Sequence, residues 1–239
     1  MSARLEDLTW LEAERLLTPE SIIVLPIDAA AKEHGPHLRL GNDWTLAEAL
    51  TQRVMARTDI VVTPTLGYHF YPAFVEYPGS TSLRLETARD LVVDVCTSLA
   101  RFGPRRFYAL NTGVSTVRAL APAVDLLARE NITLRFTDIL AILGPVEAEI
   151  CEQEGGTHAD ESETSMMLHL APDRVAMEFA VKDYDPKPGL TRIPGTEKGY
   201  SPTGIFGDPT LATEEKGKRL VQALVDGIVW EIESLRGSV

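Results

Sequence analysis

The chain has 239 residues, and 35 acidic against 23 basic side chains leave a formal net charge of -12. With no Lys/Arg cluster rising above that acidic background, a nucleic-acid partner or an anionic membrane surface is excluded. A composition of 44% hydrophobic and 24% charged residues excludes a disordered chain and suits a single globular domain over residues 1–239.

Residues 5–17 predict a helix with Leu5, Leu8, Leu11 and Leu16 on one apolar face. Residues 21–27, SIIVLPI, form a short β-branched run and predict a strand buried on both faces. A polar, turn-rich loop follows, and residues 45–57 return to helical periodicity through Leu46, Leu50 and Val54. A second strand is expected over 59–66, then a long aromatic segment punctuated by glycine and proline. A helix over 86–100, a strand over 105–112, a helix over 114–130 and a strand over 132–139 complete the rhythm. Short helices are expected over 147–154 and 162–170. Residues 182–209 are rich in Gly, Pro and charge, which marks a functional loop or a subunit contact. A final helix spans 213–232. Strand, loop and helix recurring in this order predict an α/β fold with a mostly parallel sheet covered by helices on both faces.

The two cysteines, Cys96 and Cys151, have neither a disulfide framework nor metal-motif spacing, and Cys96 reads as a small core residue. The opening segment has no apolar secretory stretch, and no run is long enough for a membrane span, so a cytoplasmic protein is expected.

In an open parallel sheet, ligands sit beyond the carboxyl ends of the strands. Polar residues fall there repeatedly. After the first strand come Lys32, Glu33, His34, His37 and Asp43. Imidazole nitrogen and carboxylate oxygen are ligands for zinc and related divalent ions, and Gly35-Pro36 can hold such side chains at fixed angles; a polar surface loop is the bland alternative. After the second strand comes His69, which suits a packed histidine as well as a ligand. The aromatic stripe around it, including Tyr68 and Tyr71, suits a pocket wall or a subunit interface equally. Asn111 and Thr112 end the third strand. Further on, Gly155-Gly156 precede His158, Asp160, Ser162 and Glu163. Asp160 or Ser162 can cap the following helix, which leaves His158 free for proton transfer and Glu163 to complete a metal shell or hold the imidazole.

Four blocks together resemble the creatininase family: EHGPHLRLGND at 33–43, YPGSTSLR at 77–84, HADESETS at 158–165 and GIFGDPTLATEEKG at 204–217. The resemblance implies a three-layer α/β/α sandwich, a homo-oligomer that is often hexameric, and divalent-metal hydrolysis of a cyclic or linear amide. It makes His34, Asp43 and Glu163 metal ligands and His158 the catalytic histidine. Two departures stand out. Lys32 occupies the position of the family's first ligand glutamate, so that Glu33 reaches a metal only through a bulged loop. The block after the third strand, Asn111-Thr112-Gly113, lacks the family's metal histidine, for which His69 is the candidate replacement. One divalent ion per chain, zinc or manganese, is therefore expected rather than two, with Lys32 stabilising an oxyanion. His37, Tyr68, Tyr71, Asn111, Thr112 and Asp160 are expected around a small-molecule substrate. A lactone or cyclitol-ring hydrolase on the same scaffold, and a metal-free binding or assembly protein, are the alternatives.

Overall fold

A computed structural model describes residues 2–237. Five strands form one sheet in the order β1-β3-β2-β4-β5, and every pairing in it is parallel. They are β1 (Ala3–Arg4), β2 (Ile22–Ile27), β3 (Val61–Val62), β4 (Arg106–Asn111) and β5 (Thr133–Phe136). The two-residue period of a strand sends alternate side chains to opposite faces, and β2 shows the consequence. Ile22 and Val24 join a core with Leu46, Leu50, Leu220, Leu224 and Ile228, whereas Ile23, Leu25 and Ile27 join a separate core with Val92, Cys96, Leu120 and Leu127. One layer therefore comprises α2 (Asn42–Met55), α5 (Ile139–Ile150), α6 (Glu161–Leu170) and α7 (Glu214–Arg236). The other comprises α3 (Leu85–Ala100) and α4 (Val117–Ala128). The three-layer α/β/α sandwich expected from the sequence is present, and Cys96 is a core residue.

The local departures have identifiable causes. Residues 5–17 do not form one helix. Thr9 and Glu12 make a reciprocal capping box that starts α1 at Trp10 (Trp10–Leu16), and Leu11 faces solvent. The strand expected over 59–66 shrinks to two residues because Pro64 has no amide hydrogen to give the ladder; Leu66 returns to touch Ile27 as an isolated bridge. Helix α5 begins at Ile139, well before residue 147, because Asp138 accepts a hydrogen bond from Ala141 N and caps it. Asp43 lies in the first turn of α2, where the helix dipole favours a carboxylate, and not in the preceding loop. Within 182–209, β6 (Leu190–Thr191) and β7 (Gly199–Tyr200) form a small parallel ladder, and the segment then folds back over the carboxyl end of the sheet.

Candidate metal centre and catalytic site

The loop from β2 to α2 supplies the first half of the site. Its path is set by main-chain bonds to flanking segments: Ala30 N donates to Gly67 O at 2.9 Å and Lys32 N to Leu40 O at 3.0 Å. Ser80 Oγ accepts from Glu33 N at 2.9 Å. Lys32, Glu33, His34 and Asp43 are consequently all buried. His34 Nδ1 lies 2.9 Å from the Lys32 carbonyl, which can only accept, so Nδ1 carries the proton. His34 Nε2 is in contact with Asp43 Oδ1, as an ion pair when the ring is protonated and as a lone pair beside a carboxylate when it is neutral. In the neutral form two acceptors face each other in a dry interior and call for a cation between or beside them. Lys32 Nζ supplies one positive charge, 2.6 Å from Asp43 Oδ2. Yet His34 Nε2 and Asp43 Oδ2 make no well-directed hydrogen bond, which is the condition of ligand atoms awaiting a metal.

The electrostatics follow from this crowding. Burial opposes charge on Lys32 and His34, but the Asp43 carboxylate outweighs it, and both are held above their ordinary values. Burial likewise opposes the Asp43 anion, and His34 and Lys32 overcome that to hold it well below the carboxylate range. Asp28, directly after β2, goes the other way. It is fully buried; desolvation and the neighbouring Asp43 raise its carboxyl well above normal, although Thr112 Oγ1 donates to it and Ala29 N does so at 3.1 Å.

The second half comes from the turn into α6. Ala159 sits at φ 48°, a left-handed conformation unusual for a residue with a Cβ, and this turns the chain sharply between His158 and Asp160. Asp160 caps α6 through Glu163 N at 3.0 Å and accepts from Gln153 Nε2 at 2.7 Å; burial and the nearby Glu163 raise it to about 7. His158 lies between two rings, with centroids 4.1 Å from Phe74 and 4.7 Å from His34. Its Nε2 is 2.8 Å from Glu33 Oε1, and its Nδ1 is 3.7 Å from Glu163 Oε2. Among the described residues, His34, His158 and Glu163 form a group whose ligand atoms all lie within 4.8 Å of one another. A cleft lined by Thr112, Val114, Leu140, Glu147 and Glu163 opens beside it.

The sequence-predicted residues divide accordingly. Lys32, Glu33, His34, Asp43, His158 and Glu163 come together. Glu33 is spent on Gly35 N (2.9 Å) and His158, so no bulge carries it to a metal. His69 lies outside the group of His34, His158 and Glu163. It is fully buried and held neutral at about 4 by desolvation, the other influence being the Ala88 main chain of α3 rather than any charged group of the site. His37, also neutral at about 4 through desolvation, bonds Thr164 Oγ1 at 2.8 Å and so ties the loop to α6. Asn111 is closed on its own turn through Gly113 O and Thr116 Oγ1. Tyr71 is buried with Lys32 Nζ 5.5 Å from its ring centroid, and Tyr68 is exposed. Asp28 and Thr164 escaped the sequence reading, whereas Phe74, one of the aromatic stripe, packs on the His158 ring. For Asp28 the signal existed: an acidic residue immediately after a strand buried on both faces.

Comparison with known proteins bears on all of this. The profile of the creatininase family, described as creatinine amidohydrolase, matches residues 6–232. A mycofactocin precursor peptide peptidase of Mycobacterium tuberculosis (strain CDC 1551 / Oshkosh) is 31% identical over 223 residues, covering 87% of this chain and 82% of that protein. Creatinine amidohydrolase of Pseudomonas putida is 29% identical over 246 residues, 93% of each. A solved creatininase superposes with a TM-score of 0.86 at 26% identity, covering 99% of this chain and 98% of the other. Other solved creatininases include a manganese form and a variant of the Zn-Zn type. That two-metal form overturns the expectation of one ion per chain. The charge count behind the expectation set Lys32 and the absent histidine against the known carboxylates and omitted Asp28, a further buried carboxyl that feels both Asp43 and Lys32. Fold, block order and site geometry agree: the chain belongs to the creatininase family.

Proposed function

We propose that the protein is a metal-dependent hydrolase of a cyclic or linear amide, working with two divalent cations, zinc or manganese, per chain. The observation that carries the reading is the meeting of His34 Nε2 with the buried Asp43 carboxylate, beside His158 and Glu163. His34, Asp43 and Glu163 would hold the cations. Bound divalent cations polarise a carbonyl and lower the pKa of a water molecule. The chain's own groups do the rest. Lys32 Nζ, 2.6 Å from Asp43 Oδ2, would meet negative charge developing on the carbonyl oxygen. His158, through Nδ1, passes a proton to the departing nitrogen. The cleft beside Glu163 admits the substrate, and the flanking loops exclude bulk water from Lys32 and His34. Relatives named as a creatinine amidohydrolase and as a peptide peptidase support an amide substrate. A cyclitol-ring substrate is the second reading, favoured by the 3-dehydro-scyllo-inosose hydrolase of Thermotoga maritima, 26% identical over 253 residues.

No helix among the described residues is long and apolar enough to cross a membrane. The reading takes a cytoplasmic homo-oligomer acting on a small molecule. Its test is elemental analysis of protein purified without chelator, joined to a panel of creatinine, other cyclic amides, short peptides, lactones and keto-cyclitols. Amide hydrolysis lost on chelation and restored by zinc or manganese is the expected result. Hydrolysis of lactones or cyclitols alone selects the second reading, and no metal with no turnover overturns both.

A further inference from the structure

Glu33 makes no contact through which it could serve as a ligand, yet it is one of the most constrained side chains in the molecule. Its Oε2 accepts from Gly35 N at 2.9 Å and its Oε1 lies 2.8 Å from His158 Nε2. The Glu33 main-chain oxygen is also 2.9 Å from the same Nε2. Both partners of Nε2 are oxygens that accept, and the carbonyl has no other option. Nε2 therefore bears the proton, and in a neutral ring Nδ1 bears the lone pair. The rest of the surroundings lock this arrangement. The rings of Phe74 and His34 flank the imidazole. The chain folded back from 182–209 closes over Glu33 at Gly204, where φ is +86° and a Cβ would fall 1.9 Å from Glu33 Oε2. No other residue type fits there without expelling the carboxylate. The same strand of chain pairs with His158 itself, Phe206 N donating to His158 O at 2.9 Å.

We infer that Glu33 is the positioning residue of the site: its carboxylate fixes His158 in the Nε2–H tautomer, so that the Nδ1 lone pair faces Glu163 and the reacting groups. This rests on the proposed hydrolase reading only for its catalytic consequence; the tautomer itself follows from the hydrogen-bond partners. A carboxylate behind an imidazole fixes ring orientation and raises the basicity of the far nitrogen, and removing such a partner typically lowers activity about 10- to 100-fold.

The test is two-bond nitrogen–proton NMR of the full chain as purified, labelled with ¹⁵N-histidine, at a pH well above the imidazole range. His158 is assigned by its loss in His158→Gln. The wild type is expected to show Nε2–H alone. In Glu33→Gln one of the two carboxylate oxygens becomes an NH2 donor, so Gly35 N–H and His158 Nε2–H can no longer both be met, and in Glu33→Ala the side-chain acceptor is gone; the main-chain oxygen at 2.9 Å is then the one acceptor left for Nε2–H, and both variants are expected to gain an Nδ1–H population. Should the alanine variant fail to fold, the isosteric glutamine variant decides. An Nδ1–H tautomer in the wild type, or His158 signals unchanged in the folded variants, overturns the inference. For an amide the wild type hydrolyses, Glu33→Gln is expected to lower kcat about 10- to 100-fold with KM little changed. A wild type that shows the expected tautomer but hydrolyses nothing would sink the proposed function and leave the role of Glu33 standing.

Discussion

Two lysine–carboxylate pairs, one partly open to solvent and one buried, behave as opposites. In the first, Lys216 Nζ reaches Glu161 Oε1 at 2.5 Å, Glu152 Oε1 at 2.7 Å and the Leu211 carbonyl at 3.0 Å, one acceptor for each of its three protons. The other oxygen of Glu161 accepts from Glu152 N and Gln153 N. Every donor and acceptor is matched, and the pair clamps α6 to α7. In the second, Lys32 meets Asp43 at 2.6 Å, but its remaining surroundings are the aromatic rings of Phe74 and Tyr71. Asp28 and Glu163 act on the same ammonium without bonding to it, and His34 Nε2 contacts the same Asp43. The first pair is complete; the second has carboxylate capacity left over. Unmatched polarity in a dry interior costs stability, so its retention beside a cleft is what marks a site that takes cations and substrate.

If the contrast holds, substitutions on the two sides separate activity from stability. The largest effect is expected from His158→Ala, which removes proton transfer and should lower turnover of the identified amide about 10²- to 10⁴-fold while metal content stays near wild type; the melting temperature should fall as well, because the buried Glu33 carboxylate loses its partner. Loss of metal in that folded variant would move His158 from proton carrier to ligand. On the clamp side, Lys216→Met leaves the fully buried Glu161 without its cation, and about 3 kcal/mol of stability should go, the lower end for breaking a buried pair because the lysine is partly open to solvent. Turnover per folded molecule should change little. Urea denaturation and active-site titration check both, and a stable, inactive Lys216→Met protein would erase the distinction drawn here.

A smaller effect sharpens the second pair. Lys32→Met removes an ammonium that competes with divalent cations for Asp43, and zinc affinity measured against a competing chelator should rise about tenfold, the size of one unit of electrostatic shift. Unchanged or weaker affinity would mean that Lys32 does not share the cations' carboxylates. The smallest effect is one of slope. Asp160, raised to about 7 by burial and by Glu163, has a folded value above its unfolded one. Its contribution to stability is complete below the ordinary carboxyl value and is lost as pH rises through about 7. Asp160→Asn keeps an oxygen to cap Glu163 N, so its urea midpoint should fall less than that of the wild type between about pH 4 and 7. Parallel profiles for the two proteins would show that the Asp160 carboxyl is not raised in the folded state.

Much of the site was legible because its residues sit in short blocks. Lys32 to Asp43 and His158 to Glu163 announce themselves by chemistry and by position after a strand or before a helix. The failures came where one residue's meaning depends on a distant one. His69 looked available until α3 was seen to surround it. Glu33 looked like a displaced ligand until His158, 125 positions away, was found on its carboxylate. Asp28 read as one residue of the polar loop after the first strand, and its burial beneath Thr112, within reach of the charges of Asp43 and Lys32, appears only in the folded chain.

Periodicity, β-branched runs and capping residues are local properties, so the order of elements, the parallel sheet, the helices on both faces and the membership of His34, Asp43, His158 and Glu163 in one polar cluster could be argued from the sequence. Which nitrogen of His158 carries the proton, which carboxyl is paired and which is stranded, and how the 182–209 segment closes on Glu33 through Gly204 were decided by the tertiary structure. The physical reason is that protonation, tautomer and metal affinity are set by partners within a few Å in a low-dielectric interior, and here those partners come from segments separated by scores of residues.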